Sequence, residues 1–252
     1  MAPVPILYVH SSAQLYGSDR LLLNMAAGLD CDRFRPVVVL PEDGPLVAAL
    51  QQAGVAVHRG KLSVLHRTLN PLFWAGFWGH LPLSVANLAR LIKAEGVRLV
   101  HSNTSHVLDG ALAAKAAGVP HVWHIREVHT GLSKLGRPLS RFVYASSERV
   151  LCMSTASKEA FFGRRPNDPK LQVVYDGVNP ARFELPGNGT ALRAGLGLPP
   201  QAPLLGMVGR IAHWKGHRLF LQAAAQVRRQ FPAARFLIVG DAVTPGDARL
   251  KH

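Results

Sequence analysis

The stretch RLVHSNTSHVLDGALAAKAAGVPHVWHIRE (residues 98–127) contains two short apolar runs on either side of a helical segment. RLVHSN (98–103) and HVWHIRE (121–127) each have the length and composition of a buried strand. DGALAAKAAG lies between them, and Gly118 is placed to end this helix as its C′ residue. A strand, a helix and a strand in this order predict a parallel βαβ unit.

The same alternation of apolar runs and helical segments continues on both sides of this unit. Gly54 is placed to end the helix that follows the second strand. Continuous β-branched runs separated by helices are typical of a parallel sheet that is covered on both faces. Further strands are predicted at residues 5–10, 35–40, 55–60, 149–154 and 171–177. Seven strands before residue 178 predict an α/β, Rossmann-like doubly wound domain.

The pattern is interrupted at residues 179–203, which are rich in proline and glycine and contain one short helical segment. It then restarts with the strand LLGMVG, a helix and the strand RFLIVG. Two strands and one helix are too few to bury a parallel sheet. We therefore expect an N-terminal domain over residues 1–178, a linker over 179–203 and an incomplete second Rossmann-like domain over 204–252.

Composition and charge limit the classes of function. The chain has 252 residues, 48% of them hydrophobic, and a formal net charge of +14. Such a charge attracts nucleotides, phosphates and acidic lipid headgroups. Nucleic-acid binders concentrate basic residues on one face or in a known module, whereas the basic residues here are scattered along the chain. We expect no nucleic-acid partner.

The cysteines and the N-terminus indicate the compartment. Cys31 and Cys152 are the two cysteines, and neither belongs to a CxxC pair, so a disulfide framework is excluded. The first residues lack the features of a signal peptide, and no apolar run reaches the roughly 18 residues of a membrane span. We expect a reduced, cytoplasmic protein.

Residues 70–96 are the most apolar segment and combine aromatic rings with basic side chains. Arg90 and Lys93 follow on a helix after Pro82. Two interpretations stay open: the rings contact an anionic surface at the inner face of a membrane, or they fill the core between a helix and the sheet. The rings belong to Phe73, Trp74, Phe77 and Trp78.

Ligands of doubly wound sheets bind at the carboxyl ends of the strands, so the residues that follow the strands are candidates for a site. After the first strand, Gly17 can bring backbone N–H groups close to a phosphate, and Ser18 or Asp19 can cap the next helix. The chain has neither GxGxxG nor GxxxxGK[ST], which disfavours nicotinamide cofactors and P-loop chemistry. An ordinary strand-to-helix turn is the alternative for Gly17.

The segment HVWHIREVHT (121–130) places polar groups where the fifth strand ends. The three histidines at 121, 124 and 129 match no zinc template, and alternation along a strand separates them, so no metal is expected. We predict instead a cluster at the mouth of a cleft, in which His124 or Arg126 hydrogen-bonds a substrate. Glu127, with Asn103 at the end of the fourth strand and Ser18, is assigned to the substrate side.

GMVGRIAHWKGHRLFLQAAAQV (206–227) places two cations between a strand and a helix. Gly209 allows a tight turn, and Arg210 and Lys215 precede the helix that follows Gly216. Arginine offers a planar fork for two phosphate oxygens, lysine a mobile point charge, and a helix N-terminus favours anions. Together they suit a diphosphate that gains charge as it leaves. A solvated pair on a loop is the alternative.

VVYDGVNPARF followed by this loop resembles the retaining family 4 glycosyltransferases of GT-B fold. In that family a hinge of the form N-G-V-D-x-x-x-F precedes the second domain, whose first strand leads into a G-R-x-x-x-x-K-G loop. HSSAQLYGSDRLLLNMAAGL, residues 99–127 and VLCMSTASKEAFF extend the resemblance over nearly the whole chain.

The resemblance implies a nucleoside-diphosphate sugar as donor substrate, bound between two Rossmann-like domains without a further cofactor. It implies that Arg210 and Lys215 hold the diphosphate, together with Gly209 and Gly216, and that Gly17 lies near it. Arg126 holds the place of the family's sugar-contacting histidine, with His124 two residues earlier. The acidic E-x7-E segment of the family has no counterpart in this chain.

The expected function is transfer of a sugar to a hydroxyl acceptor, with a saccharide or a lipid-linked precursor of cell-envelope polysaccharide as the acceptor. Because the acidic segment is missing, the 252 residues alone can be inactive. A non-catalytic fragment or interaction subunit derived from a glycosyltransferase is the alternative.

Overall fold

The computed structural model describes residues 2–66, 68–128, 136–178, 180, 189–242 and 249. The chain divides into two compact units, residues 1–178 and 179–252. The first is a parallel α/β unit, and the second contains a smaller parallel sheet.

In the first unit, seven parallel strands form one sheet in the order β3-β2-β1-β4-β5-β6-β7. The strands are β1 Val4–Val9, β2 Phe34–Leu40, β3 Ala56–Arg59, β4 Leu99–Ser102, β5 His121–Ile125, β6 Arg149–Cys152 and β7 Leu171–Val173. The seven strands predicted from the sequence are confirmed. Because β1 lies between β2 and β4, the strand order reverses beside β1, which is where such sheets bind ligands.

Six helices connect these strands. They are α1 Gly17–Ala27, α2 Pro45–Gln52, α3 Pro71–Ala94, α4 Asp109–Ala117, α5 Gly136–Ala145 and α6 Thr155–Phe162. Gly118, with φ of 72°, ends α4 in the left-handed conformation that the sequence predicted. One core cluster packs α1 and α2 against β1 and β2, and another packs α3 and α4 against the opposite side of the same strands. Both faces of the sheet are therefore covered.

Helix α3 continues through a proline. It runs from Pro71 through Pro82 to Ala94. Proline removes one backbone hydrogen bond from a helix. Burial of Phe77, Leu81, Leu88 and Ile92 along the helix offsets that loss.

The aromatic rings of α3 separate into two groups. Phe77 is buried, and Phe73 and Trp74 pack against the same core cluster. For these three rings the core interpretation is correct. Trp78 is 56% exposed. Two leucines of the same helix are also exposed, Leu72 at 80% and Leu83 at 63%. No helix among the described residues is long and apolar enough to cross a membrane.

The two cysteines lie in different surroundings. Cys31 is exposed in the turn that precedes β2, and Cys152 is buried at the end of β6. Burial raises the pKa of the Cys152 thiol to about 11. Both are free thiols.

The second unit contains two parallel strands and two helices in its described part. Strands β8 Leu204–Val208 and β9 Arg235–Val239 pair in register, with Leu204 opposite Arg235. Helix α7 is Thr190–Gly195, and α8 is His217–Gln230. In the predicted linker (179–203), residues 179 and 181–188 lie outside the described residues.

Candidate functional site

The carboxyl ends of β1, β4 and β5 bring three side chains together. Val9 lies opposite Ser102 in the β1–β4 pair, so the next residues, His10 and Asn103, are neighbours. Arg126 follows β5, which pairs with β4. Its Nε donates to Oδ1 of Asn103 at 2.8 Å. The sequence placed Asn103 and Arg126 at strand ends, and parallel pairing puts them in contact.

Arg126 has contacts on every side of its guanidinium group. One terminal nitrogen forms an ion pair with Asp176 at 2.6 Å, and the other lies 3.5 Å from Nδ1 of His124. With Asn103, these contacts use each nitrogen once, so two of the five N–H hydrogens remain available with respect to the described part of the chain. The side chain is 6% exposed. Its orientation is thus fixed, with donors left for a ligand.

His124 is a buried neutral ring. It is 4% exposed, and its ring centroid lies 5.6 Å from that of His101. Burial, and secondly the charge of Arg126, lower the pKa of His124 to about 4. At neutral pH, Nδ1 of His124 therefore accepts a hydrogen bond from the guanidinium group of Arg126. This contact helps to hold the guanidinium group in place.

His10 and Asp19 extend the contacts of Asn103. Nδ1 of His10 lies 3.2 Å from Nδ2 of Asn103, and Nε2 of His10 lies 2.7 Å from Oδ1 of Asp19. The other carboxylate oxygen of Asp19 accepts the backbone N–H of Tyr16 at 2.8 Å, at the start of α1. All three side chains are buried. We call the buried side chains of Asp19, His10, Asn103 and Arg126, together with the partly exposed Asp176 at the end, the buried polar chain.

Glu127 holds the loop that follows β4. Its carboxylate accepts from the hydroxyl groups of Thr104 and Ser105 and from the Ser105 backbone, and pairs with His106 at 3.3 Å. Burial alone raises the pKa of Glu127, but these partners lower it to about 2. The carboxylate is ionised and engaged with its own loop at neutral pH. Its assignment to the substrate side stays a prediction.

Gly17 and Ser18 form the first turn of α1. Gly17 is exposed, and a Cβ atom built on it meets no atom within 4 Å. Ser18 is half-buried, with its hydroxyl 3.4 Å from Asp19. Within this unit neither packing nor a positive φ requires glycine at position 17. A side chain would therefore fit at position 17, and a role of its backbone N–H in anion binding stays a prediction.

In the second unit, Arg210 and Lys215 follow β8 on the loop that leads to α8. The Arg210 guanidinium carbon lies 4.9 Å from the centroid of the Trp214 ring. Lys215 is exposed and ends a short 3-10 turn, His213–Lys215. Gly216, with φ of 82°, is the N-cap of α8, a conformation that favours glycine. Gly209 follows β8 and lies beside Gly240, where a Cβ atom would overlap the carbonyl oxygen of Gly209.

The histidines of β5 do not converge. His121 lies at the opposite end of β5 from Arg126, where it bonds Ser102 at 2.9 Å and the Ser146 carbonyl at 3.1 Å. His129 lies outside the described residues. Among the residues that the structure describes, no group of His, Cys, Asp and Glu has the arrangement of a metal site.

A cavity of about 540 Å³ lies between the end of β3 and the second half of α3. Its polar lining includes Arg59, Lys61, His80 and Asn87, and none of its lining residues in the described part of the chain is acidic. A second cavity of about 370 Å³ lies at the amino end of β5. Neither is lined by the buried polar chain.

Three residues of these two regions escaped the sequence analysis as functional candidates: His10, Asp176 and Trp214. His10 ends an ordinary apolar run, and Asp176 belongs to a segment with turn character. The contacts of His10 and Asp176 depend on strand order and not on sequence proximity. Asp176 is 50 residues from its partner Arg126, and His10 is 93 residues from its partner Asn103. Trp214 lies inside the quoted loop, where an aromatic ring between two cations was the available signal.

Known proteins match both units. Residues 16–182 match the family described as Glycosyltransferase Family 4, and residues 189–252 match Glycosyl transferases group 1. The first match spans more than half of the chain. The fold is that of the GT-B structures, and both matched families are glycosyltransferase families. The chain belongs to glycosyltransferase family 4.

Individual relatives cover parts of the chain. A D-inositol 3-phosphate glycosyltransferase of Segniliparus rotundus is 34% identical over 149 residues, which are 54% of this chain and 33% of the relative. A 2-deoxystreptamine glucosyltransferase of Streptomyces kanamyceticus is 42% identical over 73 residues, 28% of this chain and 19% of the relative.

Among solved structures, Anabaena Alr3699/HepE in complex with UDP-glucose superposes with a TM-score of 0.75 at 25% identity. The superposition covers 98% of this chain and 63% of that protein. This chain therefore spans less than two thirds of that structure, and about a third or less of each of the two relatives named above.

Proposed function

We propose that the protein to which this chain belongs transfers a sugar, with retention, from a nucleoside-diphosphate sugar to a hydroxyl group of an acceptor. The observation that carries this proposal is the loop from Gly209 to Gly216, which presents Arg210 and Lys215 ahead of the N-terminus of α8. A helix N-terminus with two cations suits a diphosphate. The UDP-glucose complex of the similar structure supports a nucleotide-sugar donor.

Each cation has its own role in this proposal. Arg210 stacks on Trp214 and offers a planar fork to two phosphate oxygens. Lys215 supplies a point charge to the oxygen that gains charge as the sugar leaves. Gly17 offers a backbone N–H at the start of α1, where a Cβ is absent and the space is open.

The sugar-facing role falls to Arg126 and its supports. Its orientation is fixed by Asn103, Asp176 and His124, and it keeps N–H donors for hydroxyl groups of a sugar. Because the His124 ring is buried and neutral, we assign it to support of Arg126 rather than to proton transfer.

For the acceptor we propose the cavity between β3 and α3. It has the size of a small-molecule site, and Arg59 and Lys61 line it without an acidic neighbour among the lining residues. Arg59 is paired with Asp43 at 2.7 Å, which leaves Lys61 as the better anchor for an anionic group. The names of the relatives, inositol phosphate and deoxystreptamine transferases, support a polyol acceptor beside the saccharide and lipid-linked candidates.

The test is calorimetric titration of the complete protein with UDP-, GDP- and ADP-sugars, followed by transfer assays with inositol phosphate, 2-deoxystreptamine and lipid-linked saccharides. We expect one nucleotide to bind and Arg210→Ala to weaken that binding. Absence of binding by all three donors, in both the natural protein and the variant, refutes the proposal and favours a non-catalytic interaction subunit.

A peripheral contact with an anionic membrane is a second proposal, carried by the exposed apolar side chains of α3. Leu72, Trp78 and Leu83 are exposed on this helix, and the net charge is +14. Apolar side chains on a basic protein suit a bilayer interface, where a lipid-linked acceptor is reached. In flotation assays with anionic vesicles, Trp78→Glu should reduce recovery with the vesicles; no flotation of the natural protein at low salt refutes this contact.

A further inference from the structure

His10 lies between Asp19 and Asn103 in the buried polar chain, two hydrogen bonds away from Arg126. We infer that His10 is a positioning residue, which fixes the guanidinium group of Arg126 by setting the orientation of the Asn103 side-chain amide. The geometric part of this inference stands on the first unit alone. Its consequence for catalysis rests on the proposed function.

The direction of each hydrogen bond follows from Arg126. A guanidinium group has only donors, so the Asn103 atom 2.8 Å from Nε is the amide oxygen. The amide NH₂ then faces Nδ1 of His10 at 3.2 Å, and Nδ1 must accept. The ring proton is therefore on Nε2, from which it is donated to Asp19 at 2.7 Å.

Burial makes this order necessary. His10 is 2% exposed, Asp19 1% and Asn103 0%, so water cannot replace a partner that points the wrong way. If the Asn103 amide were reversed, its NH₂ group would face the Nε–H of Arg126. Both groups are donors, so no hydrogen bond could form between them. A His10 ring protonated on Nδ1 imposes that reversal.

Asp19 anchors the far end of the chain. Burial acts to raise the pKa of Asp19, but the hydrogen bonds from His10 and the Tyr16 backbone outweigh it, and its pKa lies below the usual value. An ionised Asp19 only accepts, so it selects the His10 tautomer with the proton on Nε2. The turn at the start of α1 is thus linked to the residue that we assign to the sugar.

The first experiment measures the tautomer directly in the 252-residue chain. Long-range ¹H–¹⁵N correlation spectra at neutral pH should show His10 with a bare Nδ1 and a protonated Nε2. His121 is the internal reference with the opposite tautomer, because its Nδ1 faces the Ser146 carbonyl, which only accepts. A His10 ring protonated on Nδ1 overturns the inference.

The second experiment tests positioning in the complete enzyme. Glutamine at position 10 can accept from Asn103 and donate to Asp19, whereas phenylalanine can do neither. We expect His10→Phe to lower kcat about 10- to 100-fold, the effect of a misplaced binding group, and His10→Gln to recover most of it. His121→Phe, which removes a buried histidine elsewhere, is the matched control and should leave kcat nearly unchanged.

Equal losses in His10→Phe and His10→Gln mean that only ring packing matters, which overturns the inference. The two proposals fail separately. Absence of transfer activity with the predicted His10 tautomer refutes the reaction alone, and the wrong tautomer in an active enzyme refutes the relay alone.

Discussion

Arg126 in the first unit and Arg210 in the second are both assigned to substrate, yet the chain holds them differently. Arg126 is 6% exposed and contacts Asn103, Asp176 and His124. Arg210 is half-buried on a loop, with its guanidinium over the exposed ring of Trp214. The side-chain entropy of a buried guanidinium is lost during folding and not again on binding, whereas a half-buried guanidinium stays closer to solvent. We therefore assign orientation of the sugar to Arg126, and stabilisation of the diphosphate charge to Arg210.

The largest expected effect tests the charge role. In the complete protein, Arg210→Ala and Lys215→Ala should each weaken transition-state stabilisation by roughly 2 to 4 kcal/mol, because each removes a donor at developing charge. Lys215→Arg should restore only part of the lost transition-state stabilisation, because a planar guanidinium group does not fit the position of a compact ammonium group. Steady-state kinetics measure the effect. Natural kcat and nucleotide affinity in both alanine variants would show the cations to be ordinary solvated loop residues.

Next in size is the stability of the oriented site. Arg126→Ala leaves Asn103 and Asp176 without their donor, and should lower the free energy of unfolding of the first unit by about 2 to 3 kcal/mol. Arg98→Ala, at an exposed position, is the control and should change it by less than about 0.5 kcal/mol. Urea unfolding followed by circular dichroism provides the measurement. Equal effects of the two substitutions contradict the buried network.

The pH dependence of stability tests the contacts of Glu127 in the first unit. Because the folded pKa of Glu127 is about 2, against 4.5 for the free side chain, its stabilising contribution is complete above about pH 4.5. It is lost as the pH falls from about 4.5 towards 2, and amounts to roughly 3 kcal/mol. Glu127→Gln should flatten this part of the urea-unfolding profile. An unchanged acid profile in the variant shows that other carboxylates cause the loss.

The smallest effect concerns the ring under Arg210. Trp214→Leu removes a cation–π contact at an exposed position, which is worth about 0.5 to 1 kcal/mol, and should weaken nucleotide binding by a few-fold. Trp214→Phe keeps an aromatic face and should lose less. Calorimetry on the complete protein measures both variants. A larger loss than that of Arg210→Ala would mean that the ring itself contacts the ligand.

Much of the fold follows from sequence because its signals are local. Apolar runs identified all seven strands of the first sheet, and Gly118 marked the end of α4. The continuity of α3 through Pro82 could not be predicted, since it depends on packing of Phe77 and Leu88 against other elements. Local propensity disfavours proline in a helix, and tertiary burial overrides it.

The candidate site divides in the same way. Asn103 and Arg126 were predicted because any residue that follows a parallel strand lies at the ligand-binding edge. Their bonds to His10 and Asp176 require the strand order, which places β1 beside β4. A single sequence does not encode strand order in any short pattern. The sequence therefore predicted that polar residues lie at this edge of the sheet, but it did not predict which of them contact each other.

The two cysteines give this chain a built-in attachment point for a fluorophore. The reactive form of a thiol is the thiolate, so a maleimide dye at neutral pH should couple to exposed Cys31 and leave Cys152, with its pKa of about 11, unlabelled. Cys31 precedes β2 at the amino edge of the sheet, about 20 Å along the strands from the buried polar chain, so a dye there does not obstruct it. A second dye on exposed Gln230→Cys in α8 would make the chain a molecular ruler. Energy transfer between the two dyes would then report the separation of the units, with and without a nucleotide.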